Sequence, residues 1–263
     1  MARPARPAYN LEVPATYELA WLSQGMQDAP AGDDWLSERE TAWVERMRFP
    51  KRRSEFRLGR WTAKTALALY LGRGRSAAEL RAIEIDRAAD GAPLPLVDGR
   101  PAPAAISMTD RADQAVCVVG SVSAGIGCDL ELVEPRSDAF VTDYLTEAEQ
   151  RLVRAAESGE ERELLANLVW SAKEAALKVL RTGLRRDTRS VEVSLSGDEA
   201  ASGWRPLHVR AAEGPSFPGW WRRFGAFVLT VAATEGVAPP RPLVDPPGLT
   251  TARPSHSWWE RLR

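Results

Sequence analysis

Four ionisable residues are spaced so that they could act together. In the run VWSAKEAALKVL, Val169–Leu180, the residues Trp170, Glu174 and Lys178 stand four apart and share one face of a helix. In GIGCDLEL, Gly125–Leu132, Asp129 and Glu131 stand two apart and point to one side of a strand, with Leu130 turned the other way. Three carboxylates converging from two elements, with a lysine one turn beyond, suit Mg²⁺ and phosphate oxygens. Mg²⁺ prefers oxygen ligands, takes few carboxylates and keeps water or phosphate in its other positions. A plainer reading exists for each segment. Glu174 and Lys178 could be a surface i,i+4 ion pair worth roughly 0.3–0.5 kcal/mol. Asp129 and Glu131 could line the solvent face of an edge strand. Spacing alone leaves both readings open.

The elements that must position these groups can be read in chain order. Tyr17–Ser23 reads as a buried strand, and Ser37 with Glu40 is a capping box opening a helix to about Met47. A basic turn, Lys51–Arg53, leads into a helix over about Ser54–Leu71, ending at Gly72. Ile106–Met108 and Ala115–Val122 read as strands joined by Thr109–Gln114. Gly125–Leu132 is a further strand, and Thr146 with Glu149 forms a second capping box. A long helix covers about Glu161–Arg181 with Gly183 as its C-terminal cap, and strands follow near Ser190–Leu195, Pro206–Arg210 and Arg223–Ala232.

The order recurs at a fixed offset of 109 residues. WLSERE at Trp35 returns as YLTEAE at Tyr144, WTAK at Trp61 returns as WSAK at Trp170, and the strand Tyr17–Ser23 maps onto Ile126–Leu132. Two similar halves about a pseudo-twofold axis are expected, not a solenoid, which needs at least three units. The expected fold is α+β, each half a small sheet packed on a long helix. Its parts are a leader over 1–14, halves over 15–123 and 124–235, and a Pro-rich tail over 236–263. Ala20, Leu22 and Thr65 occupy the positions of Asp129, Glu131 and Glu174, so only the second half carries the acidic set. That asymmetry favours one functional site at the junction.

Composition narrows the class. A chain of 263 residues can bury a substantial core, and a formal net charge of -1 gives no reason to expect nucleic acid or an anionic membrane as partner. No apolar run approaches the length of a membrane span, and MARPARPAYNLEVP lacks the apolar core of a secretory signal. Cys117 and Cys128 lie in apolar runs and read as buried small hydrophobes; His208 and His256 alone give little support to a zinc site or a serine–histidine hydrolase. A cytoplasmic protein is expected. Only four of the 35 basic residues are lysines, and three of them, Lys64, Lys173 and Lys178, fall in the segments above, where a compact point charge suits phosphate.

GIGCDLE followed by WSAKEAALK resembles the paired signature of the 4′-phosphopantetheinyl transferases, specifically the monomeric surfactin-synthetase-activator type. EPRSDAFVTDYLTEAE and KRRSEFRLGRWTAKTAL also resemble that family, and the likeness covers about residues 15–235. The resemblance implies a pseudo-dimeric α+β fold. It implies Mg²⁺-dependent transfer of phosphopantetheine from coenzyme A to a serine of an apo acyl or peptidyl carrier protein, releasing adenosine 3′,5′-bisphosphate. By this resemblance Asp129, Glu131 and Glu174 become Mg²⁺ ligands, Lys178 the pyrophosphate contact, Lys173 a further phosphate or partner contact, and Glu174 the group that deprotonates the carrier serine. Arg53, Arg60 and Lys64 resemble the basic positions that face the adenosine 3′-phosphate.

One segment departs from the family pattern. Where a Ser-His-Ser or Ser-His-Arg tripeptide is usual, Thr109, Asp110 and Arg111 stand. Asp110 cannot act as a cation beside phosphate. The expectation is that it turns away while Arg111 supplies the charge. Phe140, Tyr144, Leu145, Arg151 and Arg154 are positioned for carrier contact, with Leu145 read as core. The tail from Gly236, which carries Trp258 and Trp259, stands outside the repeat. A family member that binds coenzyme A or a carrier without catalysis is the alternative reading. A generic Mg²⁺-dependent nucleotide hydrolase is disfavoured by the lack of a glycine-rich phosphate loop.

Overall fold

The structure, a computed structural model, describes residues 18–212 and 214–256. The elements run β1 (Ala20–Gly25), α1 (Glu38–Arg46), α2 (Pro50–Tyr70), α3 (Ala77–Arg81), β2 (Ile83–Arg87), β3 (Pro93–Val97), β4 (Arg100–Pro101), β5 (Ala105–Arg111) and β6 (Gln114–Gly120). They continue with β7 (Ile126–Leu132), α4 (Asp138–Tyr144), α5 (Glu147–Arg154), α6 (Gly159–Val179), β8 (Val191–Leu195), β9 (Arg205–Ala211), β10 (Ser216–Phe224), β11 (Phe227–Ala233) and β12 (Arg241–Pro242). Among the described residues no helix is long and apolar enough to cross a membrane. The leader over 1–14, Tyr17 and the Trp258–Trp259 pair lie outside the described residues.

Two main sheets form, in the orders β12-β1-β6-β5 and β7-β11-β10-β9-β8, with a separate small sheet β2-β3-β4. The triplets β1-β6-β5 and β7-β11-β10 repeat one antiparallel connectivity. Strand alternation decides what each face meets. On β6, Cys117 and Val119 pack with Ala63, Ala66 and Leu67 of α2, whereas Val116 and Val118 face the other way. On β7, Cys128, Leu130 and Leu132 turn from α6 and join Trp21, Val116, Val118, Trp204 and Phe224 in a core shared by both sheets. The 109-residue offset survives at the level of contacts. Trp35 and Trp61 meet edge-to-face at 5.1 Å, and Tyr144 and Trp170 do so at 5.2 Å. Ser37–Glu40 and Thr146–Glu149 both close as capping boxes.

The close approach of α6 to β7 depends on Gly127. A Cβ there would stand 1.9 Å from the Ala175 carbonyl oxygen, a backbone atom that has no rotamer to yield. Gly127→Ala is therefore expected to cost about 1–3 kcal/mol or more by overpacking, read as a fall in the denaturant midpoint.

Several expected boundaries shift. Thr109–Arg111 lie on β5, not in a loop, because the hairpin turns tightly at Ala112 and Asp113, with φ of 49° and 63°. The expected single strand Arg223–Ala232 is instead the hairpin of β10 and β11. Helix α6 ends at Val179 with Arg181 in the left-handed conformation (φ 57°), so Gly183 is not its cap. The tail does not stand apart: β12 pairs in parallel with β1, Leu249 N–H donates to Ser23 Oγ at 2.9 Å, and the Leu249 side chain is buried.

Candidate active site

Helix α6 crosses the face of β7 that carries the odd-numbered residues, and this sets Lys178 and Glu174 beside Asp129. Lys178 Nζ donates to Asp129 Oδ1 at 2.9 Å and to the Cys128 carbonyl at 2.7 Å. Ser171 Oγ donates to the Asp129 carbonyl at 3.1 Å, one turn before Glu174 on the helix. From β5, Thr109 Oγ1 donates to Asp129 Oδ1 at 3.1 Å. Asp129 is only 7 % exposed, yet its Oδ2 has no hydrogen-bond partner. An unpaired buried carboxylate oxygen is costly and calls for a ligand.

Glu131 is engaged by protein. Trp170 Nε1–H donates to its Oε1 at 3.1 Å; Arg136 donates to its Oε2 at 3.1 Å, and Arg111 Nε lies 3.1 Å from the same oxygen. Arg136 also donates to Asn167 Oδ1 at 2.6 Å, and Arg111 to Glu134 at 2.6 Å. Arg136, Asn167 and Glu134 were not legible as site residues: nothing in their spacing joins α6 to the segment after β7. Phe140 and Tyr144 close on the Trp170 ring at 5.3 and 5.2 Å, forming an aromatic cluster beside Glu131 in which Tyr144 is exposed.

Crowding of like charge shapes the titration. Burial first, then Asp129 and Glu131 against the opposing pull of Lys178, pushes Glu174 up to about 7. Burial and Asp129 raise Glu131 as well, against Arg111 and Arg136. Burial works against the Lys178 ammonium, but Asp129 foremost among its neighbours holds its pKa above the ordinary value. Because the folded-state value of Glu174 lies above its unfolded value, its contribution is full below about pH 4.5 and is lost as pH rises through about 7. Metal-free wild type should therefore lose roughly 1–3 kcal/mol relative to Glu174→Gln between pH 5 and pH 8, read as diverging melting temperatures.

The donor set fits a divalent cation in chemistry. Asp129 offers an unsatisfied oxygen, and Glu174 is a carboxyl whose ionisation a cation would favour. Glu131 is the weaker member, since two guanidiniums and an indole already hold it. Among the described residues no three carboxylate, histidine or cysteine side chains close around a common point.

Beside this cluster lies a cavity of about 1140 Å³ walled by α2, the β2–β3 hairpin, β5 and the end of α6. Lys178 lines it, as do Arg60, Arg87, Arg181 and Arg185. Arg60 is 7 % exposed and stacks over Phe56 at 4.3 Å; its Nε makes no hydrogen bond, and burial lowers its pKa to about 10, leaving it charged at neutral pH. Its Nε lies 3.7 Å from Glu40 Oε1, so this buried cation is already ion-paired on one side while it also lines the cavity wall.

The other expected phosphate contacts are placed differently. Lys64 and Lys173 are fully buried: Lys64 pairs with Glu40 and donates to the Trp35 carbonyl at 2.9 Å. Lys173 pairs with Glu149 at 2.7 Å and donates to the carbonyls of Thr188 and Val191. Each is turned into the core and stitches its long helix to the preceding cap, out of reach of any ligand. Arg53 is exposed, donates to the Met47 carbonyl at 2.7 Å, and does not line the cavity. Asp110 lies on the α2 side of β5 near Glu55 and Leu58, where partial desolvation by its neighbours and then Glu55 raise its pKa although the residue stays exposed. Arg111, expected to supply positive charge to phosphate, bridges Glu131 and Glu134 instead.

Residues 125–211 match the family model of the 4′-phosphopantetheinyl transferase superfamily. The matched stretch runs from β7 through β9 and contains Asp129, Glu131, Glu174 and Lys178. No curated protein matches the chain in sequence. Among solved structures, the holo-[acyl-carrier-protein] synthase (AcpS) from Neisseria meningitidis aligns with 20% identity and a TM-score of 0.32, over 40% of this chain and 96% of that one.

Proposed function

We propose that this protein transfers the 4′-phosphopantetheine group from coenzyme A to a serine of an apo acyl or peptidyl carrier protein. It would act as a Mg²⁺-dependent, cytoplasmic monomer of the surfactin-synthetase-activator type, its halves related by a pseudo-twofold axis. The observation that carries this reading is the junction of acidic cluster and cavity: Lys178 belongs to both, tied to Asp129 on one side and lining the cavity on the other. The family match over the same segment supports it.

In the proposed reaction the carrier serine oxygen bonds to the pantetheine-side phosphorus of the pyrophosphate. The bond to the bridging oxygen breaks, and adenosine 3′,5′-bisphosphate leaves. Glu174, kept ionised by the cation, would accept the serine proton. Lys178 and Arg60 supply fixed positive charge toward the phosphates, so that positioning and charge neutralisation do most of the work. Asp129 and Glu174 would hold Mg²⁺, with Glu131 adjoining; bound there, it would supply Lewis-acid polarisation of the pyrophosphate oxygens. Exposed Tyr144, with Phe140, Arg151 and Arg154 on α4 and α5, offers the apolar and basic surface that an acidic carrier helix requires; Leu145 is core.

The tie between Glu131 and two guanidiniums favours a second reading, a protein that binds coenzyme A or a carrier without turnover. Intact mass of an apo carrier incubated with protein, coenzyme A and Mg²⁺ separates them. A gain of one phosphopantetheine that chelator abolishes supports transfer. No gain across fatty-acid, polyketide and nonribosomal-peptide carriers, with coenzyme A still bound, supports the second reading.

A further inference from the structure

The seam between the two main sheets is closed by side chains where a backbone ladder would otherwise run. Among the described residues strand β7 is an edge strand, paired only with β11. Two of its N–H groups point across the seam to β5 and find hydroxyls: Cys128 N–H donates to Ser107 Oγ at 2.9 Å, and Leu130 N–H to Thr109 Oγ1 at 3.3 Å. Both hydroxyls lie on the face of β5 opposite Met108, which points at α2. The two seam contacts are alike in kind but differ in one respect. Having accepted from Leu130, the Thr109 hydroxyl itself donates to Asp129 Oδ1, whereas Ser107 makes no carboxylate contact among its hydrogen bonds.

Asp129 is thereby held unevenly. Its Oδ1 receives both Thr109 and Lys178, and its Oδ2 receives nothing although it is buried. Two donors fixing one oxygen set the rotation of the carboxylate and hold the other oxygen toward whatever ligand arrives.

We infer that Thr109 is a positioning residue through which the N-terminal half orients Asp129, leaving Oδ2 as the ligand atom of the cation site. The inference rests on the function proposed above. It also gives the Thr109–Arg111 segment a role toward the metal site, distinct from the phosphate contact expected of it.

The test compares Thr109→Val, Thr109→Ser and Ser107→Ala in the full chain, with Mn²⁺ as a spectroscopic probe for Mg²⁺. Binding is read by electron paramagnetic resonance titration in the absence of coenzyme A and carrier, and stability by thermal melting. Thr109→Val should weaken Mn²⁺ binding about 10- to 100-fold, the range for loss of a ligand-orienting partner. Thr109→Ser, which keeps the hydroxyl, should restore it. Ser107→Ala removes an equivalent seam bond, so it should lower the melting temperature as Thr109→Val does while leaving Mn²⁺ affinity unchanged. Wild-type affinity in a folded Thr109→Val protein, or equal loss in Ser107→Ala, would overturn the inference while leaving the function standing. Absence of Mn²⁺ binding and of transfer in the wild type would remove both together.

Discussion

Lys173→Met is expected to remove about 3–5 kcal/mol of stability while leaving the coenzyme A affinity of the folded protein unchanged. The ammonium is wholly buried, and its pKa is lowered by burial against the pull of Glu149, the sign of a charge kept in the interior by its partner. Truncating it strands the Glu149 carboxylate and empties two carbonyl contacts, at Thr188 and Val191. Glu149 keeps the N–H groups of Thr146 and Val193, so the loss should be large without being total. Lys64→Met should behave alike, since Lys64 holds Glu40 and Glu40 in turn accepts from Ser37 and Ile85. Replacing both partners, Lys173→Met with Glu149→Leu, should recover part of the loss, because a matched apolar pair carries no desolvation debt. Urea denaturation measures the first quantity and calorimetric titration with coenzyme A the second. Weakened coenzyme A binding with unchanged stability would return Lys173 to the ligand.

The second large effect is on catalysis. Asp129→Ala and Glu174→Gln should each lower phosphopantetheine transfer by about 10²–10³-fold or more, with the fold retained. Asp129→Ala deletes the unpaired oxygen and the counter-charge of Lys178 at once; Glu174→Gln removes the proton acceptor and a charge but keeps the shape. Normal transfer by either variant, followed by carrier mass, would refute the assignment of the cation site.

The sequence showed the paired motifs and their repeat clearly because both are local: a strand alternation, a helix periodicity and two capping boxes, each read within a few residues. Lys178 pairs with Asp129, and Glu174 lies near enough to both to be shifted by them. Glu131, however, is held by Arg111, Arg136 and Trp170, and no three carboxylates close on one point among the described residues. Lys64 and Lys173 were misread for a physical reason. A lysine on a helix near a candidate site looks ligand-facing until its counter-ion is known, and the counter-ion lies 24 positions back, at a glutamate whose visible role was capping. Arg111 was half-legible: its charge was evident, its two carboxylate partners were not. Most of strand β10 was not legible because Pro218 and Gly219 are poor strand formers, although Gly219 is needed where its strand passes the Val231 carbonyl.

The pairing of β12 with β1 bears on how the chain is made. Ser23 and its partner Leu249 are 226 positions apart, so when the ribosome has delivered every other strand of the first sheet, one edge of β1 is still bare. That edge borders Trp21 and Leu22, both destined for the interior. The sheet whose strands are synthesised first is thus completed last, its β1 edge staying open until β12 is made. Slow-translating hosts should lose more of this protein to aggregation than fast ones, and supplying chaperones during synthesis should help more than supplying them afterwards.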